Sequence, residues 1–267
     1  MTLINKQIVL TGGTAGIGFE LAKKLAQNNQ LIVLGRDNAQ LEKFKADNPP
    51  LANNLIFIYC DLADLNSTIK AVEQIQQICT SLDLLINNAA IQYATTFLDT
   101  DYKLAQIQQE ITINLTSVAI LCHALLPLLQ QSTHSNKQQL NHNHQPNQNQ
   151  SQAIILNVNS GLAIAPKSQS AIYCATKAAL NHFSLSLNYQ LKNSQVKVQQ
   201  CFLPVVDTNM TKNRAKDKGK ISAVAAAKAI FQALTTNQTQ IDIGKVKLLR
   251  IINRLSPSLA MKIMEKA

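Results

Sequence analysis

The chain has 267 residues, 46% hydrophobic and 15% charged, with a formal net charge of +10. That is enough apolar material for one large core, and it excludes a largely disordered or collagen-like chain. The positive balance admits anionic partners without choosing among nucleic acid, a membrane surface and phosphorylated ligands.

The first run, Gln7-Ile8-Val9-Leu10-Thr11, is short and β-rich, and it breaks into Gly12-Gly13-Thr14-Ala15-Gly16-Ile17-Gly18. An amphipathic helix follows, with Phe19, Leu21, Ala22, Leu25 and Ala26 on its apolar stripe. Strand, glycine turn and helix form the setting in which backbone amides at a helix N-terminus hold a pyrophosphate. Glycine serves there because a Cβ would stand where the backbone must approach its ligand. The second strand, Leu31–Leu34, ends in Gly35-Arg36-Asp37 before a helix from about Asn38 to Ala46. At this position an acidic side chain suits a free ribose 2′-hydroxyl and an arginine suits a 2′-phosphate. Arg36 therefore favours NADP(H), with NAD(H) the alternative if Asp37 reaches the ribose instead of capping the next helix.

Pro49-Pro50 ends that unit, and Leu55–Cys60 is the third strand, closed by Asp61-Leu62. A helix with Ile69, Val72, Ile75 and Ile78 on one face leads to an apolar strand, Leu82–Ile86, and then to Asn87-Asn88-Ala89-Ala90. Leu104 to Gln130 reads as one long helix with Asn114 inside its apolar stripe. A buried amide needs partners, so Asn114 is either a satisfied core residue or a clamp on water or backbone. Residues 132–152 are polar and low in complexity; they include His134, His142 and His144 and read as a flexible surface insertion with no metal site.

Ala153–Val158 is the fifth strand, and it places Ser160 at the carboxyl end of the sheet, where open α/β sheets bind ligands. A helical run from Ala171 to Leu191 carries Tyr173 and Lys177 near its start. Four residues apart, they share one helix face. A lysine ammonium there favours the ionised form of the phenol and makes it a usable acid–base group. Val196–Phe202 is the sixth strand, followed by Leu203-Pro204-Val205-Val206-Asp207-Thr208. The segment 209–221 is strongly basic and reads as a solvated charge run or a lid for an anionic substrate. Ala223–Leu234 is an alanine-rich helix, and Lys245–Leu255 is a basic amphipathic one followed by a second after Pro257. Packing on the domain or on a neighbouring subunit is expected of this tail ahead of contact with an anionic membrane.

The repeated β–α order and the unalternating apolar strands imply a doubly wound α/β fold: a single Rossmann-type domain with a parallel sheet of about seven strands flanked by helices. It spans 1–244, with 245–267 as a helical extension. No uninterrupted apolar run reaches the length of a bilayer span. Met1–Lys6 carries no signal-peptide pattern. The five cysteines are scattered among apolar neighbours. These features suggest reduced, buried thiols in a cytoplasmic protein, Cys174 included.

Thr11-Gly12-x-x-x-Gly16-x-Gly18, Asn88-Ala89-Ala90, Asn114, Ser160 and Tyr173-x-x-x-Lys177, in this order, resemble the short-chain dehydrogenase/reductase family. Ser160-Gly161-Leu162-Ala163, Val206-Asp207-Thr208 and Val246–Arg250 are similar to its DltE-like oxidoreductases. The resemblance implies hydride transfer between a nicotinamide and a carbonyl or alcohol substrate. Tyr173 would be the acid–base, Lys177 its partner and ribose ligand, Ser160 the carbonyl ligand, and Asn114 the holder of a water. It implies a cofactor site of Thr11, Gly12, Thr14, Gly16, Ile17, Gly18, Arg36, Asp61, Leu62, Asn88, Ala89, Tyr173, Lys177, Val206 and Thr208. It also implies a homodimer or homotetramer. The family's Pro-Gly is replaced by Leu203-Pro204, which leaves room for a non-catalytic NADP(H)-binding sensor or scaffold on the same fold. No aromatic platform or recognition motif supports nucleic-acid binding.

Overall fold

The computed structural model describes residues 3–138, 152–212 and 220–266. In chain order, β1 (Gln7–Thr11), α1 (Gly16–Leu25) and β2 (Gln30–Gly35) are followed by α2 (Ala39–Asp47), the single turn α3 (Pro49–Ala52) and β3 (Leu55–Tyr59). Then come α4 (Leu65–Ile78), β4 (Leu84–Asn87), α5 (Leu104–Ile111), a π-helical turn (Thr112–Thr116) and α6 (Ser117–Gln138). β5 (Ala153–Ser160), α7 (Ala171–Gln190), β6 (Val196–Leu203) and the short strands β7 (Val206–Asp207) and β8 (Ile221–Ser222) follow. The last elements are α8 (Ala223–Leu234), β9 (Gln240–Asp242), α9 (Val246–Leu255) and α10 (Pro257–Glu265).

Seven strands make one parallel sheet in the order β3-β2-β1-β4-β5-β6-β9. The order reverses between β1 and β4, which opens a crevice at their carboxyl ends. Alternate strand residues face opposite layers. Ile8, Leu10 and Val33 pack with Leu21 and Leu25 of α1 and Ile230 of α8. Val9, Ile32 and Leu85 pack with Ile75 of α4, Leu121 and Leu125 of α6 and Leu180 of α7. Each fully buried Leu or Ile of these layers contributes about 2 kcal/mol relative to exposure. The strands therefore cannot slip register without expelling a whole layer.

The long helix departs from the sequence expectation. The helix expected from Leu104 to Gln130 is broken by the π turn and runs on to Gln138, into the region expected to be insertion. Taken whole, Leu104–Ser132 is long and apolar enough to cross a membrane. Its apolar side chains Leu121, Leu125 and Leu129 are nevertheless wholly buried in the core, so it is a helix of the domain. The seventh strand, β9, is too short and polar to be legible before its partner β6 is known. Residues 139–151 of the expected insertion, with His142 and His144, and residues 213–219 of the basic segment lie outside the described residues. All five cysteines are free and buried.

Candidate active site

The crevice floor is built where β1 and β4 end. Thr11 Oγ1 accepts the backbone N–H groups of Asn88 and Ala89, each at 3.0 Å. The Asn88 side chain donates back to the Thr11 carbonyl at 3.1 Å and the Gly12 carbonyl at 3.3 Å. The glycine turn is thus fastened to the neighbouring strand. Gly12 and Gly16 adopt φ of +65° and +53°, a region that side chains disfavour. A Cβ on Gly18 would lie 2.1 Å from the Gly12 carbonyl oxygen and 2.5 Å from Asn88 Nδ2. Ala15, just before helix α1, offers no side-chain cap, so the first amides of α1 are left for a ligand.

At the next strand end, Asp37 Oδ1 accepts the Ala39 N–H, the first amide of α2, at 2.9 Å. Arg36 is exposed on the cavity rim. Thr14 packs against Gly35, where a Cβ would meet its side chain at 2.9 Å. Asp61 Oδ1 accepts the Ala63 N–H at 3.0 Å, which shapes the turn that carries Leu62.

The opposite wall comes from β5 and α7. Lys177 is 3% exposed, and its ammonium donates to the Val158 carbonyl at 3.0 Å. It lies 5.7 Å from the centroid of the Tyr173 ring. Burial pushes the Lys177 ammonium down to about 8. Ser160 Oγ accepts the Leu162 N–H at 3.2 Å. Asn159 orients both neighbours: its Oδ1 accepts the Ser160 N–H at 2.8 Å, and its Nδ2 donates to the Lys177 carbonyl at 3.3 Å and to Gln200 Oε1 at 3.0 Å. Cys174 beside Tyr173 is buried, and burial raises its thiol pKa, which suits packing and not nucleophilic attack.

Asn114 lies in the π turn, and both polar atoms of its side chain bond to protein. Its Oδ1 accepts the Ile91 N–H at 2.9 Å, and its Nδ2 donates to the Ile91 carbonyl at 2.9 Å and to Thr176 Oγ1 at 3.2 Å. Thr176 Oγ1 in turn donates to the Tyr173 carbonyl at 2.8 Å. The side chain is therefore a backbone clamp tying the segment after β4 to α7. The extra residue of the π turn accounts for the broken helix at this point.

These elements enclose one cavity of about 830 Å³. Gly12, Thr14, Gly16, Ile17, Gly18, Arg36, Asp61, Leu62, Asn88, Ala89, Ser160, Tyr173, Lys177, Val206 and Thr208 all line it. Thr11 and Asn114 stand behind the wall as supports. A Cβ on Gly16 would meet the Thr208 side chain at 3.3 Å, so the segment after β6 closes directly over the glycine turn. Val206-Asp207 is held there by pairing with Ile221-Ser222 and by the Lys220 ammonium, 2.8 Å from the Thr211 carbonyl. Sequence reasoning missed that Gln92, Leu162 and Met210 line the same cavity as Leu249 and Ile252 of α9 and Met264 of α10. It also missed Glu110, a buried carboxylate that accepts from the Tyr93 N–H and the Tyr102 hydroxyl and whose pKa burial raises. Among the described residues no group of three or more His, Cys, Asp or Glu side chains comes together for a metal.

The family model described as short chain dehydrogenase matches residues 6–219. An uncharacterized oxidoreductase, DltE of Bacillus subtilis, is 34% identical over 82% of this chain and 78% of its own. The ketoacyl reductase HetN of a Nostoc species is 24% identical over 96% of this chain and 87% of its own. A short-chain dehydrogenase of Burkholderia cenocepacia, solved with NADP, superposes with a TM-score of 0.80 at 18% identity over 99% of both chains. One from Burkholderia phymatum, solved with NAD, superposes with a TM-score of 0.78 at 17% identity over 96% of both. These two likenesses concern the fold.

Proposed function

This chain belongs to the short-chain dehydrogenase family, and on that premise we propose that it is an oxidoreductase interconverting a carbonyl compound and its alcohol with NADP(H), in preference to NAD(H). The observation that carries the reading is the convergence of Ser160, Tyr173, Lys177 and the glycine turn on one cavity. The residues fit a dinucleotide. Gly12, Gly16 and Gly18 leave a cradle that a Cβ would fill, in front of the uncapped amides of α1. Arg36 stands at the rim, where it would meet a 2′-phosphate, while Asp37 does not line the cavity and bonds the Ala39 N–H. Asp61 and Leu62 would hold the adenosine end of the dinucleotide, Asn88 and Ala89 its middle, and Val206 and Thr208 its nicotinamide end; all six line the cavity. When bound, the nicotinamide supplies or accepts the hydride.

The chain's own groups handle the proton. Ser160 and Tyr173 both line the cavity, and in this reading the two hydroxyls would donate to one substrate carbonyl oxygen. In reduction Tyr173 gives that oxygen its proton, and the Lys177 charge above the ring attracts the phenolate left behind. Lys177 has no ion-pair partner among the described residues, so its buried charge would stabilise the developing phenolate. Asn114 acts at one remove: through Ile91 and Thr176 it holds the Tyr173 backbone against the cofactor floor.

The test is NADPH oxidation, with NADH and Tyr173→Phe in parallel, against a panel of aldehydes, ketones, quinones and 3-oxoacyl thioesters. Turnover with NADPH that falls by about 10³-fold or more in Tyr173→Phe, with dinucleotide affinity unchanged, is the expected result. Retained activity in Tyr173→Phe removes that residue from the mechanism. Tight NADPH binding without turnover on any substrate favours a dinucleotide sensor.

A further inference from the structure

Helices α9 and α10 form one border of the cavity and turn a second face to solvent. Inward, Val246 and Ala260 are buried, and Leu249 and Ile252 meet the cavity. Outward, α9 exposes Leu248 (60%), Ile251 (57%) and Leu255 (81%). Their spacing of three and four residues puts them on one stripe. Leu259 (49%) and Ile263 (45%), four apart, form the matching stripe of α10. Exposed cations accompany both stripes: Lys247 and Arg254 on α9, Lys262 on α10 and Lys266 just after it. None of these four has an ion-pair partner among the described residues. Arg250 differs, since Asp242 holds it at 2.5 and 2.7 Å. Residues 245–267 carry six Lys or Arg side chains and one carboxylate, that of Glu265.

We propose that this face seats on an anionic lipid bilayer, with the cavity mouth turned toward it. Two helices about 15 Å and about 14 Å long cannot cross a bilayer but can lie in its interface. An apolar stripe flanked by cations is the composition that such helices need, with the hydrocarbon side sunk among acyl chains and the cations among phosphates. A second copy of the chain fits less well. A two-fold contact brings the same surface to itself, so four unpaired cations would meet four like charges. Leu248 and Ile263 are both exposed on this face and part of the cavity wall. An apolar compound dissolved in the bilayer would therefore meet a continuous apolar path into the cavity. The docking is independent of whether the cavity performs the proposed reaction.

Co-sedimentation of the full chain with vesicles tests this. Phosphatidylcholine vesicles containing phosphatidylglycerol should carry the protein down, and pure phosphatidylcholine vesicles should not. Ile251→Asp/Leu255→Asp should abolish sedimentation. Arg254→Gln/Lys262→Gln should weaken partition about 25-fold, at about fivefold per cation. NADPH affinity, measured separately, should stay at the wild-type value in both variants, which shows that loss of docking is not loss of fold. The proposal is overturned if neither vesicle is bound, or if both variants sediment like wild type. It is equally overturned if light scattering shows a dimer that Ile251→Asp/Leu255→Asp dissociates, which would assign the face to a second copy.

Discussion

Gly18→Ala puts the dinucleotide assignment to a quantitative test. The added Cβ would lie 2.1 Å from the Gly12 carbonyl oxygen and 2.8 Å from its carbon. Non-bonded heavy atoms rest at about 3.5 Å, so the first turn of α1 or the Gly12 carbonyl must retreat by about 1 Å. Neither is free to do so. Gly12 is held at positive φ, and its carbonyl and that of Thr11 receive the Asn88 side chain. Overpacking of this kind costs about 2 kcal/mol, or a fall in Tm of about 4–8 °C in a chain of this size. The displaced backbone is also the part that would donate to the pyrophosphate. Loss of one charge-assisted hydrogen bond weakens binding by about 10- to 100-fold. Gly13→Ala is the control. Its Cβ would meet only the core side chains Val33 Cγ1 at 2.8 Å and Leu10 Cδ2 at 2.9 Å, and Gly13 does not line the cavity. It should lower Tm to a similar degree and change the NADPH Kd by less than about threefold. Fluorescence titration of NADPH and thermal melts of the three proteins give both quantities. Wild-type affinity in Gly18→Ala would refute the assignment of this turn to the pyrophosphate.

Arg36→Ala should raise the NADPH Kd about tenfold and leave that of NADH unchanged; equal changes in both would show that Arg36 does not read a 2′-phosphate. Lys177, at about 8 in the fold against an ordinary 10.5, binds fewer protons folded than unfolded between those values. Stability should therefore rise with pH across that window, by up to about 3 kcal/mol, and the burial cost should be fully present below pH 8. Lys177→Met should accordingly melt higher than wild type at pH 7, with the gap narrowing toward pH 10.5; parallel curves would refute this account of its burial. Arg250 binds Asp242 with two hydrogen bonds and lies 4.5 Å from the Phe202 ring centroid. Arg250→Met should cost about 1–3 kcal/mol in chemical denaturation and should loosen α9, seen as faster amide exchange there.

What the sequence by itself determined was local or periodic. Apolar runs without alternation marked β1 to β5, because a parallel sheet is buried on both faces and favours apolar positions throughout. The glycine turn could be read because only glycine tolerates positive φ at Gly12 and Gly16 and a missing Cβ at Gly18. Tyr173 and Lys177 could be paired because a helix puts i and i+4 on one face. Tertiary structure decided whatever depends on partners distant in the chain. Thr11 and Asn114 have side chains suited to a cavity, yet both are turned to backbone 77 and 23 residues away and serve as supports. β9 exists only because β6 offers it an edge. Arg250 reads as one more cation of a basic helix until Asp242 and Phe202 are found beneath it. Part of the cavity lining comes from α9 and α10, whose amphipathic period shows that one face is covered and gives no hint of what covers it. Periodicity fixes which residues share a face, and only the packed chain assigns that face to core, cavity or solvent.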